Sequence, residues 1–422
     1  MGKARPRASR LETPWRCGLM IGVYVLTALL GYFGPLGFAP LTGLAGLLCL
    51  FGLGGIRPQQ PVIWPWLGLA LWATVSLAWS PAAPFPGLVL EYPRPEMATP
   101  MKLLFQLAVD AVLISVAAQM CEASAKRAIW VMTIGMLALG SLLAVEGLQG
   151  APLYQSIKAS IGQPIRPDLA MRNVGQGIYV LALLFWPAVL CLAGDKIKAF
   201  GPFLIATLCL ALIVSSITLS ADAPLVGLVL GALVFLVVRR TGTAGCTALT
   251  LASLIYWLVA PLLILGLVSL GLFDLAKAYL PPSWDARLDI WAFATARITE
   301  QPLQGWGMDA SRIFEGIIPL HTHDAALQVW LELGAVGAVL MAMGWVAIFS
   351  LINNLVLRDR NLGAAAAATA VAYLTIGALS FGVWQEWWLA LGAIAFATIA
   401  VLDRARVSIR RQDQAIGALE RF

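Results

Sequence analysis

Charge is scarce in this sequence, and that scarcity excludes a water-soluble globule. Charged residues make up 12% of the 422 residues and hydrophobic ones 60%, whereas soluble domains carry about a quarter charged residues. Apolar/polar alternation is lacking too, which excludes a membrane β-barrel built from segments of about 10 residues. Cysteine is sparse and badly placed for crosslinking. Cys17, Cys121 and Cys246 lie beside basic segments, and Cys49, Cys191 and Cys209 lie inside apolar runs, so no disulfide is implied. No internal repeat is visible. Histidine is scarcest of all, with His321 and His323 the only two, one residue apart.

What is present is a series of apolar runs of roughly 18 residues, each able to span a bilayer. Spans are expected at 17–33, 36–54, 62–79, 101–120, 128–147, 174–193, 200–219, 223–238, 247–272, 327–356, 363–380 and 385–402. The fold class is therefore all-α: a polytopic membrane protein of about 12 transmembrane helices, with 1–422 forming a single membrane domain. The basic stretch ending at Arg16 reads as an uncleaved cytoplasmic tail, because no small-residue cleavage site follows it. An even number of spans puts both termini on one side, and basic residues in short segments mark that side as the cytoplasm. The tails hold Lys3, Arg5, Arg7, Arg10, Arg16, Arg404, Arg406, Arg410, Arg411 and Arg421. The even-numbered loops add Arg57, Lys126, Arg127, Lys196, Lys198, Arg239, Arg240, Arg358 and Arg360. These are 19 of the 28 lysines and arginines. The net charge of +6 is thus a topology signal with some attraction to anionic membrane lipids, and it implies no nucleic-acid partner.

The other basic residues fall in three outer segments. Arg94 and Lys102 flank the third loop; Lys158, Arg166 and Arg172 lie in the fifth; Lys277, Arg287, Arg297 and Arg312 lie in the ninth. The ninth loop, 273–323, is inserted between spans nine and ten and is the only long polar excursion. Trp284, Trp291, Trp306, Phe293 and Phe314 give it a core of its own, so it is expected to be ordered and functional. Its stretch PPSWDARLDIWAFATARITEQP reads as a helix that follows Pro281 and Pro282, with Ser283 as cap and Asp285 at the positive end. Arg287 and Trp291 then share a face.

A second helix is expected from about His323. Asp324, Gln328 and Glu332 recur every four residues and form one polar stripe entering the membrane. Carboxylates at that depth face a protein interior or a wet cavity. The histidines are therefore expected above a polar groove that opens outward, at a helix N-terminus that attracts anions and favours neutral imidazole. Plainer roles stand beside these. Trp291 also suits a loop core or an interfacial anchor, Arg166 and Arg172 suit solvated charges, and Asp110 suits a helix–helix hydrogen bond. His321, His323 and Asp324 lack a clear further ligand for zinc, so a metal site is the weaker reading of them.

The run from ARLDIWAFATARITEQPLQGWGMD to HTHDAALQVWLELGAVG resembles the signature of the O-antigen ligase family, which also takes in O-antigen and exopolysaccharide polymerases. The matching features are Arg287 and Trp291, then Pro302, Gly305 and Gly307, then His321, His323, Leu327, Gln328, Glu332, Leu333 and Gly334. Two positions depart from the pattern: Asp324 replaces an asparagine, and Ala221 stands after Ser220 where the family often has arginine.

The resemblance implies a glycan carried on undecaprenyl diphosphate, transferred at the periplasmic face of a bacterial inner membrane. The acceptor is the lipid A core for a ligase, or a second lipid-linked glycan for a polymerase. It implies a metal-independent, inverting transfer without a cofactor. His323 is the expected base, and Arg287 with Arg172 or Arg166 the expected diphosphate ligands. His321 and Asp324 would orient His323, while Trp291, Gln328 and Glu332 are further substrate-site candidates. A transporter of lipid-linked sugars is the alternative class, and it would place its charged groups nearer the bilayer midplane.

Overall fold

The computed structural model describes residues 12–50, 60–83, 99–194, 197–280 and 282–410. In chain order its helices are α1 (Glu12–Phe33), α2 (Phe38–Leu50), α3 (Gln60–Ser76), α4 (Thr99–Ala117), α5 (Glu122–Gln149), α6 (Pro152–Ser160), α7 (Pro167–Gly175) and α8 (Gly177–Leu192). They continue with α9 (Gly201–Thr218), α10 (Asp222–Thr241), α11 (Thr243–Ser269), α12 (Leu272–Lys277), α13 (Pro282–Glu300), α14 (Ala325–Arg358), α15 (Arg360–Leu379) and α16 (Glu386–Ala405). Among the described residues there is no strand.

Ten described helical stretches are long and apolar enough to cross a membrane, and two shorter apolar ones, Pro35–Leu50 and Val62–Ser76, fall at the second and third expected spans. The protein is a multi-pass, all-α membrane protein. At 1.5 Å per residue the 13 residues of α2 extend about 20 Å, short of a hydrocarbon core of about 30 Å. Of the expected features, Arg57, Arg94, Lys196, Pro281 and the basic residues of the two tails beyond 12–410 lie outside the described residues.

The two sets of loops gather at opposite ends. At one end Arg404 Nε donates to Met120 O (2.8 Å), Arg406 pairs with Asp359 (2.7 Å) and Lys126 donates to Ser408 Oγ (3.1 Å). At the other, Lys102 pairs with Glu386 (2.9 Å), Ser80 Oγ donates to Met308 O (2.6 Å) and Tyr179 packs edge-on against Phe381 (4.6 Å). Small residues let the helices approach between these ends. Ala364–Ala368 are all buried in α15, and the facing α10 carries Gly227 against Ala372, the packing that membranes favour where apolar burial drives little association.

One expected span is not continuous. α14 is broken at Gly334, where φ 62° and ψ −162° depart from helix. The break leaves carbonyls that lipid cannot satisfy, and polar groups of the chain take them. Trp306 N donates to Leu331 O (2.8 Å), Gly307 N to Glu332 O (2.8 Å), and Trp72 Nε1 to Leu333 O (2.9 Å). Beyond the break, Ala335 N donates back to Pro302 O (2.9 Å). This explains why Gly305 and Gly334 occur together. A Cβ on Gly305 would sit 2.5 Å from the Glu332 carbonyl, and one on Gly334 would sit 2.5 Å from Gly305 N. The two backbones touch, and both glycines are left-handed.

Candidate active site

The histidine loop is built by local hydrogen bonding. Asp324 caps the first half of α14: its Oδ1 accepts from Leu327 N (2.8 Å) and from the Tyr256 hydroxyl (3.4 Å). Thr322 Oγ1 donates to Asp324 O (2.6 Å), and Trp291 Nε1 of α13 donates to Thr322 O (3.0 Å). Between these anchors His323 adopts φ 56°, a conformation that costs a non-glycine residue of order 1–3 kcal/mol and persists where surroundings over-determine it.

The hydrogen bonds fix the two tautomers. His323 Nδ1 lies 2.9 Å from Ser380 O. A carbonyl only accepts, so Nδ1 carries the proton and Nε2 is left as a base. His321 Nδ1 accepts from His323 N (3.2 Å), so in the neutral ring its proton sits on Nε2. The rings meet edge to face, 4.3 Å between centroids. Burial pushes the His321 imidazole down to about 3, with His323 and Arg312 adding to the effect. His323 is also lowered, first by burial and then by Arg287, against the opposing hydrogen bond to Ser380. Burial raises the Asp324 carboxyl to about 7. The site therefore offers one neutral, basic ring nitrogen near a guanidinium.

Arg287 is half-buried, its guanidinium 5.0 Å from the Trp284 ring. Among the described residues no carboxylate pairs with it. Its charge adds to the lowering of the His323 imidazole.

The polar stripe is used differently from expectation. Asp324, Gln328 and Glu332 do share a face; Asp324 at its outer end is half-buried, while Gln328 and Glu332 are enclosed by protein. Glu332 is 0% exposed and ties three segments. Its Oε1 accepts from Gln328 Nε2 (3.1 Å), and its Oε2 accepts from Trp384 Nε1 (2.7 Å) and Asp309 N (3.1 Å). Gln328 Oε1 in turn accepts from Val383 N (2.9 Å). These two side chains bind the α15–α16 loop and the 307–309 turn to α14. Trp291 likewise spends its indole N–H on the loop.

Arg166 and Arg172 belong to the entry and last turn of α7. Arg166, at the entry to α7, is exposed and forms a two-pronged pair with Asp168 (2.7 and 3.0 Å). Arg172 is exposed in the last turn of α7. Neither makes a described contact with the histidines. Among the described residues no group of three His, Cys, Asp or Glu side chains gathers as a metal site would require. The segment to which sequence reasoning gave no role is Ser380–Gln385. Its available signals were Gly382, whose Cβ would lie 3.0 Å from the His321 ring, and the tryptophans that follow.

Residues 203–342 match the O-antigen ligase family model. Over that stretch the chain is similar to the O-antigen ligase family, and the stretch contains Arg287, His321, His323, Asp324, Gln328 and Glu332, while Tyr179 and Ser380–Gln385 lie outside it. Curated relatives include "Putative polysaccharide ligase RC0486" of Rickettsia conorii, 25% identical over 269 residues, covering 58% of this chain and 61% of that protein. A protein of Rickettsia felis with the same descriptive name is 26% identical over 301 residues, 66% of this chain and 68% of its own length. One from Rickettsia bellii is 30% identical over 231 residues, 51% and 54%. For the first of these the chain spans about three-fifths of the relative's length.

Proposed function

We propose that the protein is a glycan transferase that moves a polysaccharide from undecaprenyl diphosphate to an acceptor sugar hydroxyl. The observation that carries the reading is the pair His323 and Arg287: a ring nitrogen left free to accept a proton, beside a guanidinium that no described carboxylate neutralises. The acceptor oxygen attacks the anomeric carbon as its proton passes to His323 Nε2. The bond from that carbon to the phosphate oxygen breaks, and undecaprenyl diphosphate leaves with the electron pair. Arg287 stabilises the charge on it. Direct displacement inverts the anomeric centre, and no metal takes part.

The basic end of the bundle lies in the cytoplasm and the histidine end in the periplasm of the inner membrane, with both termini cytoplasmic. There the acceptor is the lipid A core. A second lipid-linked glycan would make the protein an O-antigen or exopolysaccharide polymerase through the same chemistry. Surface polysaccharide from a deletion strain, complemented with wild type or His323→Ala, separates these. Lipid A without long-chain glycan, with lipid-linked polymer accumulating, is the ligase result. A single repeat unit still on lipid A is the polymerase result. An unchanged pattern in the deletion strain contradicts both.

A further inference from the structure

The first two helices leave a groove between them. It runs from Pro14 to Leu26 along α1 and from Leu41 to Leu48 along α2, has a volume of about 620 Å³ and is lined by apolar residues throughout. Two glycines hold it open. A Cβ built on Gly18 or Gly22, one turn apart on α1, meets no atom within 4 Å. Elsewhere on the same two helices glycine serves close packing: a Cβ on Gly31 would lie 2.8 Å from Leu139, and one on Gly46 would lie 2.6 Å from Val109. Leu26 and Leu44 are exposed at the rim, so the groove opens sideways to the bilayer.

The position of the groove says what fits it. Cys17 Sγ lies 3.8 Å from Ser124 O in the first turn of α5, and Met120 O just before that helix accepts from Arg404. The start of α1 is therefore at the basic end of the bundle. The 12 residue steps from Pro14 to Leu26 extend about 18 Å, against about 15 Å for half of the hydrocarbon core. The groove thus follows one leaflet from the headgroup level to the midplane. Trp15, exposed at its mouth, is of the type that anchors at the membrane–water interface. Arg16 stands three and seven residues before the lining residues Leu19 and Val23, so it shares their face. Long helical side chains lean toward the helix N-terminus, which sets this guanidinium over the mouth. Its Nε is buried and has no hydrogen-bond partner among the described residues. An apolar slot one leaflet deep, with an unsatisfied guanidinium at its polar end, complements a lipid whose headgroup is an anionic phosphate.

We infer that the α1–α2 groove binds one anionic phospholipid of the leaflet at the basic end, an acyl chain lying along Gly18 and Gly22 and the phosphate against Arg16. The site is at the opposite end of the bundle from the histidine loop, and the inference does not depend on the donor assignment. Gly18→Leu and Gly22→Leu each put a side chain into the empty groove, and leucine is a better helix former than glycine, so the fold is retained. Arg16→Gln removes the charge and keeps a polar side chain.

The test is titration of the purified full chain in detergent with phosphatidylglycerol, or with phosphatidylcholine of the same acyl chains, the first bound lipid being resolved by native mass spectrometry. Wild type should bind phosphatidylglycerol roughly 10-fold more tightly than phosphatidylcholine, the effect of one hydrogen-bonded charge pair. Arg16→Gln should bring the two lipids level. Either leucine variant should weaken both lipids roughly 10-fold while its unfolding midpoint without lipid stays at the wild-type value. Phosphatidylglycerol binding by the leucine variants equal to wild type overturns the groove as the site. Equal binding of the two lipids by wild type, or an anionic preference kept in Arg16→Gln, overturns the headgroup assignment and the inference with it. Displacement of bound phosphatidylglycerol by farnesyl diphosphate would give the groove to a polyprenyl tail instead, which also overturns it. Failure of both leucine variants to fold would show the groove to be filled by protein, with the same consequence.

Discussion

Removing the Glu332 carboxylate tests whether that side chain organises the site or touches substrate. Three buried donors end on it: Gln328 Nε2, Trp384 Nε1 and Asp309 N. A buried donor left without an acceptor costs about 1–3 kcal/mol. Glu332→Ala strands all three, so the loss is about 3–9 kcal/mol before any cavity is counted. Glu332→Gln strands fewer. Its carbonyl can take the place of Oε2 and keep Trp384 and Asp309, while its NH2 then faces Gln328 Nε2. Gln328 cannot flip to accept without giving up Val383 N (2.9 Å). One bond is lost, a cost of about 1–3 kcal/mol. Thermal unfolding of the detergent-solubilised variants should therefore rank wild type above Gln and Gln well above Ala, with transfer activity following stability. A stable Glu332→Ala protein with no transfer would refute the argument and move Glu332 into the substrate-contacting set.

Four further outcomes follow from the same geometry. Under the proposed mechanism neutral His323 is the active form, and its proton affinity is lowered, so the acid limb of transfer against pH should lie below the ordinary imidazole value of 6.5. Arg287 helps depress it, so the limb read in Arg287→Ala should move upward toward 6.5. His321, held neutral down to about 3, contributes stability that is complete above about pH 6.5. That stability declines as pH falls from 6.5 toward 3, because the unfolded chain binds the proton first; unfolding midpoints across that range check the sign. Asp324→Asn should be nearly neutral in unfolding, since asparagine also caps helices, while Asp324→Ala should cost about 1 kcal/mol. Gly334→Ala, forced to φ 62° with its Cβ against Leu303 and Gly305, should cost about 2 kcal/mol or more and lower the yield of folded protein.

Much of the fold was legible because bilayer thickness leaves a strong mark on sequence. Each of the twelve expected spans coincides with an apolar helix, ten of them long enough to cross. The helix Pro282–Glu300 and its junction with the histidine stretch were also legible, through Pro302 and the glycines after it. The break in α14 was not. Hydrophobic periodicity runs through Val329–Val339 without interruption, and the only local sign is Gly334, whose partner Gly305 lies in another loop. The four-residue spacing correctly put Asp324, Gln328 and Glu332 on one face. It could not reveal that Trp384, Val383 and Asp309, distant in sequence, close that face.

The central claim is that His323 takes a proton from the acceptor while Arg287 holds the donor's diphosphate. The most direct measurement is transfer by the purified protein in proteoliposomes supplied with an undecaprenyl-diphosphate glycan and an acceptor, comparing wild type with His323→Ala. The account predicts that wild type forms the glycosidic bond and releases one undecaprenyl diphosphate per transfer. It predicts that His323→Ala binds donor with near-normal affinity yet forms no product. Product formed by His323→Ala at a rate near that of wild type would contradict it.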